Sequence, residues 1–317
     1  GYAQSSMPAG LSDVTQLSSG AFHNCVIDAD GVYCWGWDRF GQSTVPPDVF
    51  GAVQVSAGGW HFCAVDTHGE VDCWGWDNKG QSTVPSGLTD IVQVSTGVDH
   101  TCAIDTVGDI TCWGDDYQDV QAYPPGLSNV VQLSGGKCAL TADGLVSCWG
   151  LNYAGQNDVP EGLTNVVQVA AGAAHRCAVD GDGFVTCWGE NDDGEASVPN
   201  GLSNVVQVAA GSAHTCALDD EGDVTCWGDN EQGQSTVPPG LSDIVQISGS
   251  GGHTCALNSF GDVTCWGSNY GGKSTVPPGL TDVVSISAGS FVSCAIDVNR
   301  DLTCWGADEF GGATVPL

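Results

Sequence analysis

The stretch from Gln207 to Gly240, QVAAGSAHTCALDDEGDVTCWGDNEQGQSTVPPG, decides the fold. At its centre Cys216 and Cys226 flank the turn-forming Asp220-Glu221-Gly222, and Trp227-Gly228 follows at once. Apolar residues alternate on both sides of the turn, the two-residue period of a strand. A three-residue loop with Gly last suits a hairpin closed by a type I turn and a glycine bulge, because that last position takes positive φ. Setting Asp219 opposite Asp223 brings Cys216 directly across from Cys226, so the register predicts a cross-strand disulfide.

Most of the chain is this text written again. A Gly-Leu pair at Gly10-Leu11 recurs at Gly87, Gly126, Gly162, Gly201, Gly240 and Gly279, with a degenerate version at Val49 to Ala52. Eight copies result, starting near 10, 49, 87, 126, 162, 201, 240 and 279, mostly 39 residues apart. Each offers four short strand candidates: the Val-rich run, the two cysteine strands, and the run containing Ser-Thr-Val-Pro. Four antiparallel strands repeated at about forty residues mark a propeller blade. A solenoid of such units would expose two apolar ends. Here Ser6-Met7-Pro8 matches Thr314-Val315-Pro316, so either terminus can supply the outermost strand that closes a ring, and Pro is tolerated at such an edge. The expectation is an all-β, eight-bladed β-propeller in which residues 1–317 form a single domain.

Sixteen cysteines in 317 residues point to an oxidising compartment, and their spacing assigns the partners. The pairs are Cys25 with Cys34, Cys63 with Cys73, Cys102 with Cys112, Cys138 with Cys148, Cys177 with Cys187, Cys216 with Cys226, Cys255 with Cys265, and Cys294 with Cys304. A zinc site using the recurrent His-x-Cys is the alternative. Two copies lack the His while all keep both cysteines, which favours disulfides. No signal peptide is visible before Gly1, and the chain reads as a processed or trimmed mature form.

Six basic against 38 acidic residues give a formal charge of −32, which repels phosphate backbones, so nucleic acid is not an expected partner. No apolar run is long enough to cross a bilayer as a helix, so membrane insertion is not expected either. The acidic turns Asp180 to Gly183, Asp219 to Asp223 and Glu190 to Asp193 read as a solvated surface, with calcium binding as the alternative. None matches the twelve-residue calcium loop, and no cofactor is expected.

Val208, Gly211, His214, Ala217, Leu218, Gly222, Val224, Trp227, Gly228, Asn230, Gly233 and Gln234 together resemble the repeat of the regulator of chromosome condensation propeller family. In repeat length the chain is more similar to the bacterial beta-lactamase-inhibitor propellers and the extracellular repeats of crinkly-type plant receptor kinases. The resemblance implies the propeller fold over nearly the whole chain. It leaves function open, since the family includes exchange factors, inhibitors, light sensors and receptor ectodomains. Eight copies where seven is usual, and a cysteine pair in every blade, set this chain apart and argue against exchange-factor and chromatin roles.

Two sets of repeated residues read as architecture. The Trp after each second cysteine, Trp35, Trp74, Trp113, Trp149, Trp188, Trp227, Trp266 and Trp305, is expected between blades. The His before the first cysteine, His23, His61, His100, His175, His214 and His253, either lines a channel as a metal or anion site or hydrogen-bonds a neighbouring loop. The resemblance implies the second.

Residues that depart from the repeat are the candidates for function. In a four-stranded meander the loop between strands one and two and the loop between strands three and four emerge on the same face. Phe22, Trp60 and Phe291 occupy the first of these in copies one, two and eight; Trp37, Phe40, Trp76 and Phe310 occupy the second. With Arg39 and Lys79 they would form one aromatic sector, the composition of interface hot spots and sugar platforms. The alternative is that some rings fold back to fill gaps between loops. In copy four Gly135-Gly136-Lys137 replaces the loop and its His, and in copy three Asp115 to Tyr123 is unusual, so a notch or a neutral shortening lies there. No Gly-x-Ser-x-Gly, phosphate loop or His-Glu-x-x-His occurs, so an enzyme is not expected. The reading is a secreted scaffold that binds a protein or glycan partner. The alternatives are a homo-oligomer or filament built by terminal strand exchange and, behind it, a polysaccharide-acting enzyme.

Overall fold

A computed structural model describes residues 11–20, 23–115, 123, 127–135 and 137–307. Every copy folds into one antiparallel three-stranded sheet with its strands in chain order, giving eight sheets. In copy six these are Val205–Ala210, His214–Asp219 and Val224–Gly228. Cys216 stands opposite Cys226, Asp219 N donates to Asp223 O at 3.1 Å, and Gly222 takes a φ of 86°. The turn chemistry read from the sequence therefore sets the register of the hairpin. All eight cysteine pairs are bridged within their own copy, with Cα atoms 4.0 to 4.1 Å apart.

The expected fourth strand is corrected. Ser235 to Pro238 forms turn and irregular chain, and the corresponding run of the other described copies does the same. Two features keep it off the sheet. Asn230 Oδ1 accepts from Ser235 N and Thr236 Oγ1, both at 3.1 Å, which folds the run back on its own loop. Pro238 and Pro239 then lack the N–H groups a ladder needs. The run still contributes apolar packing through Val237.

Within each unit the cores lie between successive copies, which explains why the first five residues of the second strand, His214 to Leu218, are all buried. Cys216 and Leu218 pack against Ile244, Ile247 and Trp266 of copy seven. Ala217, on the other face, packs with Cys177 and Val179 of copy five. Trp74, Trp113, Trp149, Trp227, Trp266 and Trp305 occupy equivalent cores, as their repetition predicts. Burying one Leu or Ile side chain in this way contributes about 1.5–3 kcal/mol.

Polar contacts run between copies as well. Gln207 in the first strand donates from Nε2 to Ile247 O at 3.0 Å and accepts from Ile247 N at 2.9 Å, engaging both backbone polar groups of one residue of the next copy. Gln16, Gln54, Gln168 and Gln246 clamp Val55, Val94, Val208 and Ile286 in the same way.

Two compact units divide the chain. One comprises Gly1–Ala142, Ser147–Leu151 and Asp308–Leu317; the other comprises Asp143–Val146 and Asn152–Ala307. The first carries nearly all of the sheets of copies one to four, the second those of copies five to eight. Ser6 to Pro8 and Thr314 to Pro316, on which the expectation of ring closure rests, lie outside the described residues. No helix among the described residues is long and apolar enough to cross a membrane.

Candidate binding surface

In copies two, three and five to eight the two loops expected on one face are tied together by the backbone. Trp76 N donates to Trp60 O at 2.9 Å in copy two, Asp229 N to Ala213 O at 2.8 Å in copy six, and Ser268 N to Gly252 O at 2.8 Å in copy seven. The glycine after each buried Trp permits this approach. A Cβ on Gly75, at φ 103°, would lie 2.8 Å from Trp60 O.

The aromatics of copies one and two meet here, all within the first unit. Trp60 packs edge-on against Trp37 with centroids 4.6 Å apart and against Phe40 at 6.4 Å. Phe40 also meets Trp37 at 5.9 Å and the ring of Trp76 edge-on. Each of the four rings is partly exposed. The rings thus pack on one another and still present a surface. Arg39 is exposed, with its guanidinium carbon 5.6 Å from the Phe40 centroid. No carboxylate lies within 4.0 Å of it among the described residues.

The loops beneath are stiff. Asp38 Oδ1 accepts from Ser43 N at 2.7 Å and Oδ2 from Thr44 Oγ1 at 2.8 Å. Asp77 repeats both bonds with Ser82 and Thr83. Trp76 Nε1 donates to Asn78 Oδ1. A side chain held this way loses little freedom when a partner docks.

Other expected members are placed differently. Lys79 pairs with Asp115 at 3.5 Å. Phe291 lies in the second unit, with its ring 6.1 Å from Tyr270 and 5.9 Å from Lys273 Nζ. Phe22 and Phe310 lie outside the described residues, as do residues 116–122 and 136 at the notch. Tyr123 packs against Trp149 in the core between copies three and four.

The repeated histidines are structural. His61 Nε2 lies 2.8 Å from Thr101 Oγ1, and Thr101 Oγ1 donates to Gln81 O at 3.0 Å. With the hydroxyl proton spent on the carbonyl, His61 donates from Nε2 and is neutral. His175, Thr215 and Glu195 O repeat the chain. The indole N–H of Trp113 and of Trp227 donates to the same two carbonyls. Burial pushes His61 and His253 down to about 3, and His23, His175 and His214 down to about 4. His23 faces Phe62 edge-on at 4.5 Å, since Phe62 replaces the hydroxyl residue. Among the described residues no three His, Cys, Asp or Glu converge as metal ligands. The turn acids serve their own turns: Asp219 Oδ1 accepts from Glu221 N and Asp223 N.

Neither the glutamine clamp nor the placement of Lys273 beside Phe291 is legible in a single repeat. A polar residue recurring at an inward strand position is the signal for the first. For the second the signal is a basic residue where other copies carry Gln.

The model of the regulator of chromosome condensation (RCC1) repeat matches residues 14–42, 52–81, 91–118, 166–195, 205–234, 244–272 and 283–311, passing over the shortened copy four. Among solved structures, the entire ectodomain of the Physcomitrella patens receptor kinase CR4 is 21% identical, with a TM-score of 0.59, over 97% of this chain and 76% of that one. The CRINKLY WD40 ectodomain of the Arabidopsis thaliana receptor kinase ACR4 has the same identity and TM-score, over 97% of this chain and 100% of that one. Prp20p from Saccharomyces cerevisiae is 17% identical with a TM-score of 0.57, over 98% of this chain and 84% of that one. No curated protein matches the sequence.

Proposed function

The chain belongs to the regulator of chromosome condensation (RCC1) repeat family, and on that premise we propose that it is an extracellular binding protein. It recognises a protein or glycan partner through Trp37, Arg39, Phe40, Trp60 and Trp76. The observation that carries this reading is the contiguous, partly exposed cluster of four rings on pinned loops, with the Arg39 guanidinium at its edge over Phe40. Aromatic rings and Arg dominate binding energy at interfaces, and rigid anchors cost little entropy to immobilise. These groups suit recognition more than proton transfer, which supports action by binding. Eight hairpin disulfides support an oxidising, extracellular location, and the CR4 and ACR4 relatives are receptor ectodomains.

The test uses a glycan array and capture from the extracellular fluid of the source organism, followed by cross-linking. Trp37→Ala, Trp60→Ala and Trp76→Ala combined should weaken the captured interaction at least about 30-fold, the effect of losing a hot spot of ~2 kcal/mol. Undiminished binding by the triple variant sinks the reading.

A further inference from the structure

Lys273 stands where copies one, two, four and six carry Gln42, Gln81, Gln156 and Gln234, and copy five carries Glu195. At that position the side-chain oxygen accepts the backbone N–H two residues before it, as Gln234 does from Gln232 and Glu195 from Asp193. An ammonium has donors only. The loop of copy seven is accordingly rebuilt as the 3-10 turn Tyr270–Gly272. Lys273 instead donates from Nζ to Ser290 O at 2.9 Å and lies 5.9 Å from the Phe291 ring centroid.

Lys273 is only 4% exposed. Among the described residues no carboxylate lies within 4.0 Å of it. Burying a charge without a counter-ion is expensive. Desolvation lowers its pKa accordingly. Lys273 lines a cavity of about 360 Å³ in the second unit, walled also by Ser212, Asp229, Gly251, Ser290 and Phe291. Asp229 is fixed there by bonds from Glu231 N to Oδ1 at 2.9 Å and from Gln234 Nε2 to Oδ2 at 2.6 Å. The cavity is therefore lined by one cationic side chain, one anchored carboxylate, two serines and an aromatic ring.

We propose that this cavity binds a hexuronate, a sugar ring bearing one carboxylate. The sugar carboxylate neutralises Lys273, its hydroxyls donate to Asp229, and its apolar face packs on Phe291. A simple anion leaves Asp229 as a repulsive neighbour, and an uncharged hexose leaves Lys273 unneutralised. With a net charge of −32 the protein repels a long polyanion, so the ligand is a single uronate, free or at the end of a glycan. This site is independent of the aromatic cluster of copies one and two.

Titration calorimetry of the whole chain at pH 7 tests it, with sodium glucuronate, glucose, sodium acetate and an oligosaccharide ending in glucuronate. Glucuronate should bind at ~1 mM or tighter, and glucose and acetate about tenfold weaker or less. Tighter binding of the oligosaccharide identifies a glycan end as the source, and equal or weaker binding identifies the free sugar acid. Lys273→Gln, which installs the residue of copies one, two, four and six, should lose at least about tenfold in glucuronate affinity with an unchanged or higher Tm. Asp229→Asn should also weaken glucuronate. Absence of glucuronate binding, acetate bound as tightly as glucuronate, or undiminished binding by either variant overturns the proposal.

Discussion

A buried imidazole in this chain does its work by staying neutral. His61 and His253 are held at about 3, and His23, His175 and His214 at about 4, against an ordinary value of 6.5. Between those values the unfolded chain binds protons that the folded chain refuses. Each histidine's contribution is therefore complete above pH 6.5 and is lost as the pH falls toward 4 or 3, at about 1.4 kcal/mol per pH unit. Side-chain carboxylates titrate mostly below pH 5, so urea unfolding between pH 7 and pH 5 isolates the imidazoles. The midpoint should fall across that interval, and His214→Gln should make the fall shallower. A midpoint that holds or rises on acidification contradicts this account. The position of the His was plain in the repeat, but its protonation followed only from the hydroxyl and carbonyl beyond it. That chain joins His61 to Thr101, 40 residues away, and so crosses from one copy to the next.

At the scale of one blade, the hairpin is closed twice, by its turn and by its sulfur bridge. Asp219 caps the turn through its side chain, and Cys216 to Cys226 closes a loop with a sequence separation of 10. Replacing both cysteines with Ala should cost about 3 kcal/mol on the chain-entropy model, less any strain relieved. The other contacts of copy six, Leu218 on Ile244 and Gln207 on Ile247, remain. The loss should therefore concentrate in hydrogen exchange of copies five to seven. Uniform loss of protection across all eight copies would show that the bridge does not act locally. The hairpin was readable because turn residues and cysteines encode it within ten positions. The outer run was misread because its fate depends on Asn230, which folds Ser235 and Thr236 away from the sheet edge.

Over the whole molecule the formal charge of −32 opposes compaction, with few ion pairs among the described residues to offset it. Added salt shortens the reach of that repulsion from about 10 Å at 0.1 M to about 3 Å at 1 M. Tm should accordingly rise as NaCl increases from 0.05 to ~0.5 M, and a falling Tm would mean that attractive pairs dominate.

Repetition made eight copies, their cysteine pairing, the inter-blade tryptophans and the all-β class legible, because each is set by residues close in sequence or by the same residue recurring in every copy. The irregular positions could be listed from the sequence but not joined. Trp37, Phe40, Trp60 and Trp76 became one cluster, Lys79 turned to Asp115, and Phe291 met Lys273 and Tyr270 only once the loops of adjacent blades were in place. Tertiary structure decides such matters because packing between copies determines which side chains touch, and those neighbours are tens of residues apart in the chain.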